Sequence, residues 1–300
     1  METIKVLFKT FPVGHLVSDR EFERLKIGFA KMNMELLREG TNYDLLMVKG
    51  FSHEWKDLPK DKPIIYYSIG AEIKLNEDLE KLNAPIKELY QNANAVVHIS
   101  DFCMEEHHIF FNTIKEKEEV IIPACEPNLP KEYPPRRERL KLATTCIPRP
   151  VKRCEQTEEL CKKYNIELVT AYGGVSDFSY YHNCDGYIHL SRKEGMPNTV
   201  LEALSYGLPC IVTNYGGAKE AVGDAGIIIK NDPENNDPEN MPWNPQNIES
   251  IDEFLFANAI QEFKERLPEL RIKVRERVLT KLNDYICAYL FRKHIFEELL

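Results

Sequence analysis

Short apolar runs alternate with stretches of helical periodicity along most of the chain. Residues 4–8 form a first apolar run, broken by Phe11-Pro12-Val13-Gly14-His15. Between residues 21 and 38, Phe22, Leu25, Phe29, Met32 and Leu36 fall at three- and four-residue steps, which predicts a helix. Gly40 is placed to close it as a C-cap. Strands are expected at 43–48, 63–69, 95–100 and 120–123, and a helix at 86–92. A further helix starts near Phe102 with Asp101 able to cap it. Strands that are apolar throughout, and that take turns with helices, indicate parallel sheets covered on both faces. Residues 1–127 therefore read as one α/β domain. Residues 128–140 have no periodicity and contain Pro130, Pro134 and Pro135, so they read as a linker.

The alternation then resumes. Strands are expected at 141–145, 167–172, 187–191, 209–213 and 226–229, and helices at 155–164, 176–184, 197–206 and 218–222. A second α/β domain spans 141–275. Helical patterns run on from residue 251 with a break near Leu267-Pro268, and 276–300 read as an amphipathic helix lying on the protein. Asn-Asp-Pro-Glu-Asn occurs twice within 231–240, too short a repeat to set an architecture.

Composition narrows the function classes. The apolar share of 43% and charged share of 29% are those of a globular protein. A net charge of −9 argues against nucleic acid or an anionic membrane as the main partner. The eight cysteines include no Cys-x-x-Cys pair, so a zinc or thioredoxin-like site is unsupported. They read as small buried hydrophobes in a reducing setting. The start of the chain has no signal-peptide pattern, and no apolar run approaches the ~18 residues of a membrane span. These features suggest a cytoplasmic protein. His107 and His108 are adjacent and point to different sides of a helix, which does not suit a metal pair. No metal site is expected.

The chemistry concentrates in residues 194–226. Glu194-Gly195-Met196-Pro197-Asn198-Thr199-Val200-Leu201-Glu202 joins a strand ending at Ser191 to a helix beginning near Pro197. Proline suits the first helical turn. The N–H groups of Asn198, Thr199 and Val200 would then point out of the helix end, where the dipole favours an anion. The place, outside the carboxyl end of a parallel strand, is where open α/β sheets bind ligands. Glu194 and Glu202 flank it. Carboxylates beside a diphosphate would repel it, so sugar and ribose hydroxyls are their natural partners. Spacing alone equally allows Glu202 to meet a basic side chain and Glu194 to be a solvated charge.

The sequence here resembles the retaining glycosyltransferases of family 4 (glycosyl transferases group 1). The run 194–203 is similar to that family's E-x7-E motif, Gly207-Leu208-Pro209-Cys210-Ile211-Val212-Thr213 to its next strand, and Gly216-Gly217-Ala218-Lys219-Glu220 with Gly223-Asp224-Ala225-Gly226 to its glycine-rich turn and loop. Residues 95–101 and 120–123 resemble the end of its N-terminal domain. The resemblance implies an α/β GT-B fold, two Rossmann-like domains with mainly parallel sheets facing across a cleft. It implies transfer of a sugar from a UDP- or GDP-sugar to an acceptor hydroxyl with retained configuration, without a metal or other cofactor. The acceptor, a carbohydrate, lipid or small molecule, is left open.

Carried over, Glu194 would contact the donor sugar and Glu202 the ribose. Gly195 and the backbone of Asn198, Thr199 and Val200 would hold the diphosphate, with Gly14 near it from the other domain. The family's leaving-group Lys matches Lys152. Its Arg falls on Cys146, with Arg149 and Arg153 as substitutes from another register. The family's N-domain His is missing, which leaves His15, Ser68 and Glu72 as acceptor-side candidates. Cys146 keeps a second class of function open: a non-catalytic sugar-nucleotide-binding or scaffolding protein of the same fold.

Overall fold

In the computed structural model, which describes residues 3–11, 16–50, 61–69, 79–111, 116–135, 137–172, 178–192, 194–230 and 250–300, the first apolar run becomes β1 (Ile4–Phe11). Helix α1 (Leu16–Lys31) follows, then β2 (Met34–Leu37), β3 (Leu45–Gly50) and β4 (Ile64–Ser68). Helix α2 (Leu79–Asn92), β5 (Ala95–His98), α3 (Asp101–Phe111) and β6 (Glu118–Val120) complete the series. The six strands form a parallel sheet in the order β2-β1-β3-β4-β5-β6.

The predicted helix over 21–38 is a helix followed by a strand. Asn33 adopts a left-handed φ of 54° and turns the chain. Met34 and Leu36 are then buried while Glu35 is exposed, a period of two. Leu36 fits both periods, so the helical spacing runs on past the turn at Asn33. Gly40 therefore follows a strand and caps no helix. On α3 the capping hydroxyl is that of Ser100, which accepts from the Cys103 N–H at 3.1 Å; Asp101 is the first helical residue. The last strand of this sheet lies two residues earlier than expected.

The second series runs β7 (Lys141–Cys146), a 3-10 turn (Pro150–Lys152), α4 (Cys154–Lys163) and β8 (Glu167–Tyr172). It continues with a 3-10 turn (Ser179–Asn183), β9 (Gly186–His189), α5 (Asn198–Ser205), β10 (Cys210–Thr213), α6 (Ala218–Val222) and β11 (Gly226–Ile229). Its sheet is also parallel, ordered β11-β10-β9-β7-β8. The doubled pentapeptide lies outside the described residues.

Helix α7 (Glu253–Thr280) runs straight through Pro268, so the expected break is absent. Leu267 and Leu270 on either side are buried in the second unit's core, with Phe256, Ile260 and Phe263. Packing outweighs the lost backbone bond of one proline. The break falls later, where Asn283 caps α8 (Asp284–Leu290), accepting from the Ile286 N–H at 2.9 Å. A π-helical stretch (Phe291–Phe296) and α9 (Glu297–Leu299) end the chain.

By packing, the chain divides into Met1–Glu126 with Lys281–Leu300, and Pro127–Thr280. In the first unit, Phe291 and Phe296 close on Phe29 with ring centroids 5.4 and 5.6 Å away, and Asp284 pairs with Lys31. In the second, residues 128–135 are held by α7, where Arg271 donates to the Pro134 carbonyl and Arg275 to that of Pro130. Among the described residues no helix is long and apolar enough to cross a membrane.

Candidate functional site

β9 lies inside the second sheet, between β10 and β7, and its residues are buried. It ends at His189, opposite Val212 of β10. The chain leaving it is pinned at once. The Thr213 hydroxyl donates to the Ser191 carbonyl at 2.7 Å. Two bonds reach the Val151 carbonyl, from the Arg192 N–H at 2.7 Å and the Ser191 hydroxyl at 3.2 Å. Arg153 donates to the Leu190 carbonyl at 3.1 Å. The loop after β7 and the loop after β9 are thus stitched together at the carboxyl edge of the sheet.

Glu194 and Lys152 meet across that seam as an ion pair. His189 Nε2 lies 3.0 Å from the same carboxylate oxygen, Oε1. Burial by itself would raise the Glu194 pKa. The Lys152 charge and the His189 hydrogen bond outweigh it and hold the group at about 2, against an ordinary 4.5. An ionised carboxylate only accepts hydrogen bonds, so Nε2 of His189 is the donor in this contact.

The backbone of Glu194 and Gly195 rests on the Gly216-Gly217 turn. The Gly217 N–H donates to the Glu194 and Gly195 carbonyls at 3.2 and 3.1 Å. A Cβ at Gly216 would overlap the Glu194 carbonyl, and one at Gly217 the Gly195 carbonyl. Gly216 also has φ +65°, a conformation open to glycine. The two glycines therefore set the height at which Glu194 stands above the sheet.

α5 begins one residue later than predicted, with Pro197 as its N-cap in extended conformation. The Val200 N–H is taken by the Pro197 carbonyl at 3.0 Å, so it is not among the outward-facing donors. Asn198 and Thr199, the first two residues, lie outside the intrahelical ladder. Val200, Leu201, Ala203 and Leu204 are fully buried and fix the helix against the sheet. Glu202 is buried as well, 5% exposed, and its charge reaches Tyr180, whose pKa burial raises first and Glu202 further.

The other candidates are placed as follows. Cys146 is bonded to Cys154, so two of the thiols expected to be free form a disulfide that brackets residues 147–153. The other six cysteines are free and buried. Arg149 is exposed on the bracketed loop. Arg153 is 5% exposed, stands at the start of α4 with φ 49°, and serves as a strut to Leu190. Gly14, His15 and Glu72 lie outside the described residues. Ser68 is buried at the end of β4, its hydroxyl 3.2 Å from His107 Nε2. His107 Nδ1 is 2.8 Å from the Cys103 carbonyl, and burial, then the charge of His98, lowers its pKa to about 3. His107 is thus a core histidine. Among the described residues no three His, Cys, Asp or Glu side chains could hold a metal ion.

Sequence reasoning missed His189. Its signal was a polar residue in the apolar run Tyr187-Ile188-His189-Leu190.

Comparison with known proteins bears on the same stretch. Residues 119–238 match the family described as glycosyl transferases group 1. That glycosyl transferases group 1 match includes the loop after β7, Glu194, α5 and the glycine turn. The O-antigen biosynthesis glycosyltransferase WbnH of Escherichia coli is 31% identical over 78 residues, which are 26% of this chain and 23% of WbnH. The chain thus matches about a quarter of that relative's length. Sucrose-phosphate synthase from Thermosynechococcus elongatus has a similar fold, with a TM-score of 0.68 at 14% identity over 99% of both chains. Anabaena HepE, solved in complex with UDP, has a TM-score of 0.62 at 11% identity, covering 99% of this chain and 100% of its own. The fold, two parallel-sheet α/β domains, is the GT-B fold of these glycosyltransferases.

Proposed function

We propose that the chain transfers a sugar from a nucleoside-diphosphate sugar to an acceptor hydroxyl, retaining the anomeric configuration and needing no divalent metal. The observation that carries this is the Lys152–Glu194 pair at the mouth of α5. A cation and a hydroxyl acceptor stand side by side at the carboxyl edge of a parallel sheet, Glu194 three residues ahead of the α5 N-cap Pro197. In this reading the diphosphate lies against the N–H groups of Asn198 and Thr199 and takes the Lys152 ammonium. The Glu194 carboxylate then accepts sugar hydroxyls, and Glu202 the ribose. Lys152 and the helix end supply the charge stabilisation of the departing diphosphate that a metal provides elsewhere. UDP bound to HepE supports a nucleotide donor for this fold.

A scaffold that binds a sugar nucleotide without turnover is the second reading. It is favoured by the Cys146–Cys154 bond, which leaves no cation at the place of the family's Arg. Arg149, exposed on the same loop, supplies the second positive charge in the enzymatic reading.

A panel of UDP- and GDP-sugars tests the donor site, read by thermal stabilisation with and without EDTA. At least one donor should stabilise the protein in EDTA, and Lys152→Ala should weaken it roughly tenfold or more, as for a hydrogen bond to a charged group. Absence of stabilisation by every donor contradicts both readings.

A further inference from the structure

We propose that His189 is the positioning residue of Glu194, holding its carboxylate for the donor sugar once a diphosphate has drawn Lys152 away. This rests on the donor reading above and goes beyond it by assigning a residue and a division of labour.

Two side chains share Glu194. Lys152 and His189 both meet Oε1, so neither occupies Oε2. Their mechanical properties differ. Lys152 ends a flexible four-carbon stem, lies in a short 3-10 turn, and carries a strongly hydrated point charge. It is suited to follow a competing anion, and a diphosphate with two negative groups is a stronger attractor than one carboxylate. His189 is the last residue of a buried strand, 7% exposed. Its ring lies stacked on Tyr187, centroids 6.3 Å apart and planes 16° apart. Tyr187 is fixed in turn, since its hydroxyl accepts the Thr145 N–H at 3.1 Å. His189 therefore stays where it is when Lys152 moves, and keeps one hydrogen bond on Oε1. That bond fixes the carboxylate plane with Oε2 open to hydroxyls, and it partly compensates the charge that Lys152 no longer neutralises. An aliphatic residue at 189 would leave Glu194 both unpaired and free to rotate.

His189 acts only through Glu194, so its removal should be felt by the sugar and not by the nucleotide. Wild type, His189→Leu, His189→Asn and His189→Gln are titrated calorimetrically with UDP and GDP, and with UDP- and GDP-sugars. His189→Leu, and His189→Asn as a polar residue too short to reach, should weaken the sugar nucleotide roughly tenfold. Affinity for the nucleoside diphosphate should remain within about twofold of wild type. His189→Gln, whose amide can donate to Oε1, should recover most of the loss. Lys152→Met, in contrast, should weaken both ligands. Equal weakening of diphosphate and sugar nucleotide by the His189 variants, or weakening of neither, overturns this proposal alone. Wild-type protein that binds no sugar nucleotide overturns the donor reading and this proposal with it.

Discussion

Lys152 and Glu194 compensate one another in a place where either alone would be costly. Glu194 is largely buried, and the charge of Lys152 and the hydrogen bond of His189 hold its pKa low by favouring the charged form. Because the folded value is depressed, the pair contributes stability above the ordinary carboxylate pKa of 4.5. That contribution is lost as pH falls toward about 2. In Lys152→Met the same carboxylate keeps only His189, so the loss of stability on acidification between about pH 5 and about pH 3 should be shallower than in wild type. Urea unfolding midpoints at the two pH values measure it, and parallel acid dependence in the two proteins would contradict the account. At this scale the sequence was readable where chemistry is written in residue type. Glu194 and Lys152 stand out as charges at two strand-to-helix junctions, and Glu202 as a charge on the apolar helix after the second. His189 did not, because nothing in a linear pattern shows that a strand-end imidazole folds back on a carboxylate five residues later. Arg153 illustrates the opposite case: a cation at a suggestive position whose guanidinium is spent on a backbone carbonyl.

At the scale of elements, the site is a loop held between two others. The Gly216-Gly217 turn supports Glu194 from one side, and the loop bracketed by Cys146 and Cys154 brings Lys152 from the other. Gly217→Ala should therefore act on both stability and binding. Its methyl meets the Gly195 carbonyl, which is backbone and cannot swing aside. The expected cost is about 1–3 kcal/mol in urea unfolding, as for overpacking, together with weaker sugar-nucleotide binding as residues 194–198 shift. An unchanged midpoint would show that the turn is not in tight contact. The alternation of apolar runs and helical periods gave away both parallel sheets, since strands buried on both faces leave little ambiguity. The errors fall where two periods share residues or where tertiary packing overrides a local signal. Leu36 fitted helix and strand alike, and Pro268 stays inside α7 because Leu267 and Leu270 are anchored in the core. The Cys146–Cys154 bond was invisible for a different reason: a spacing of eight residues carries no pattern until β7 and α4 are placed side by side.

For the whole molecule, the first α/β unit is completed by a part distant in sequence, while the second is one continuous stretch. Lys281–Leu300 belongs with the first unit, where Phe291 and Phe296 pack on Phe29, while α7 closes the second. The return of the last twenty residues to the first unit is not legible in the sequence, because an amphipathic helix does not announce which apolar surface it covers. The central claim, retaining transfer from a sugar nucleotide, belongs to this scale. It is tested most directly by following the anomeric proton by NMR while the protein, in EDTA, is given the sugar nucleotide that stabilises it and a mixture of acceptor alcohols. The account predicts a glycoside with the donor's anomeric configuration, formed in step with released nucleoside diphosphate. A donor that binds but gives no product, a product of inverted configuration, or transfer that appears only on adding a divalent metal would contradict it.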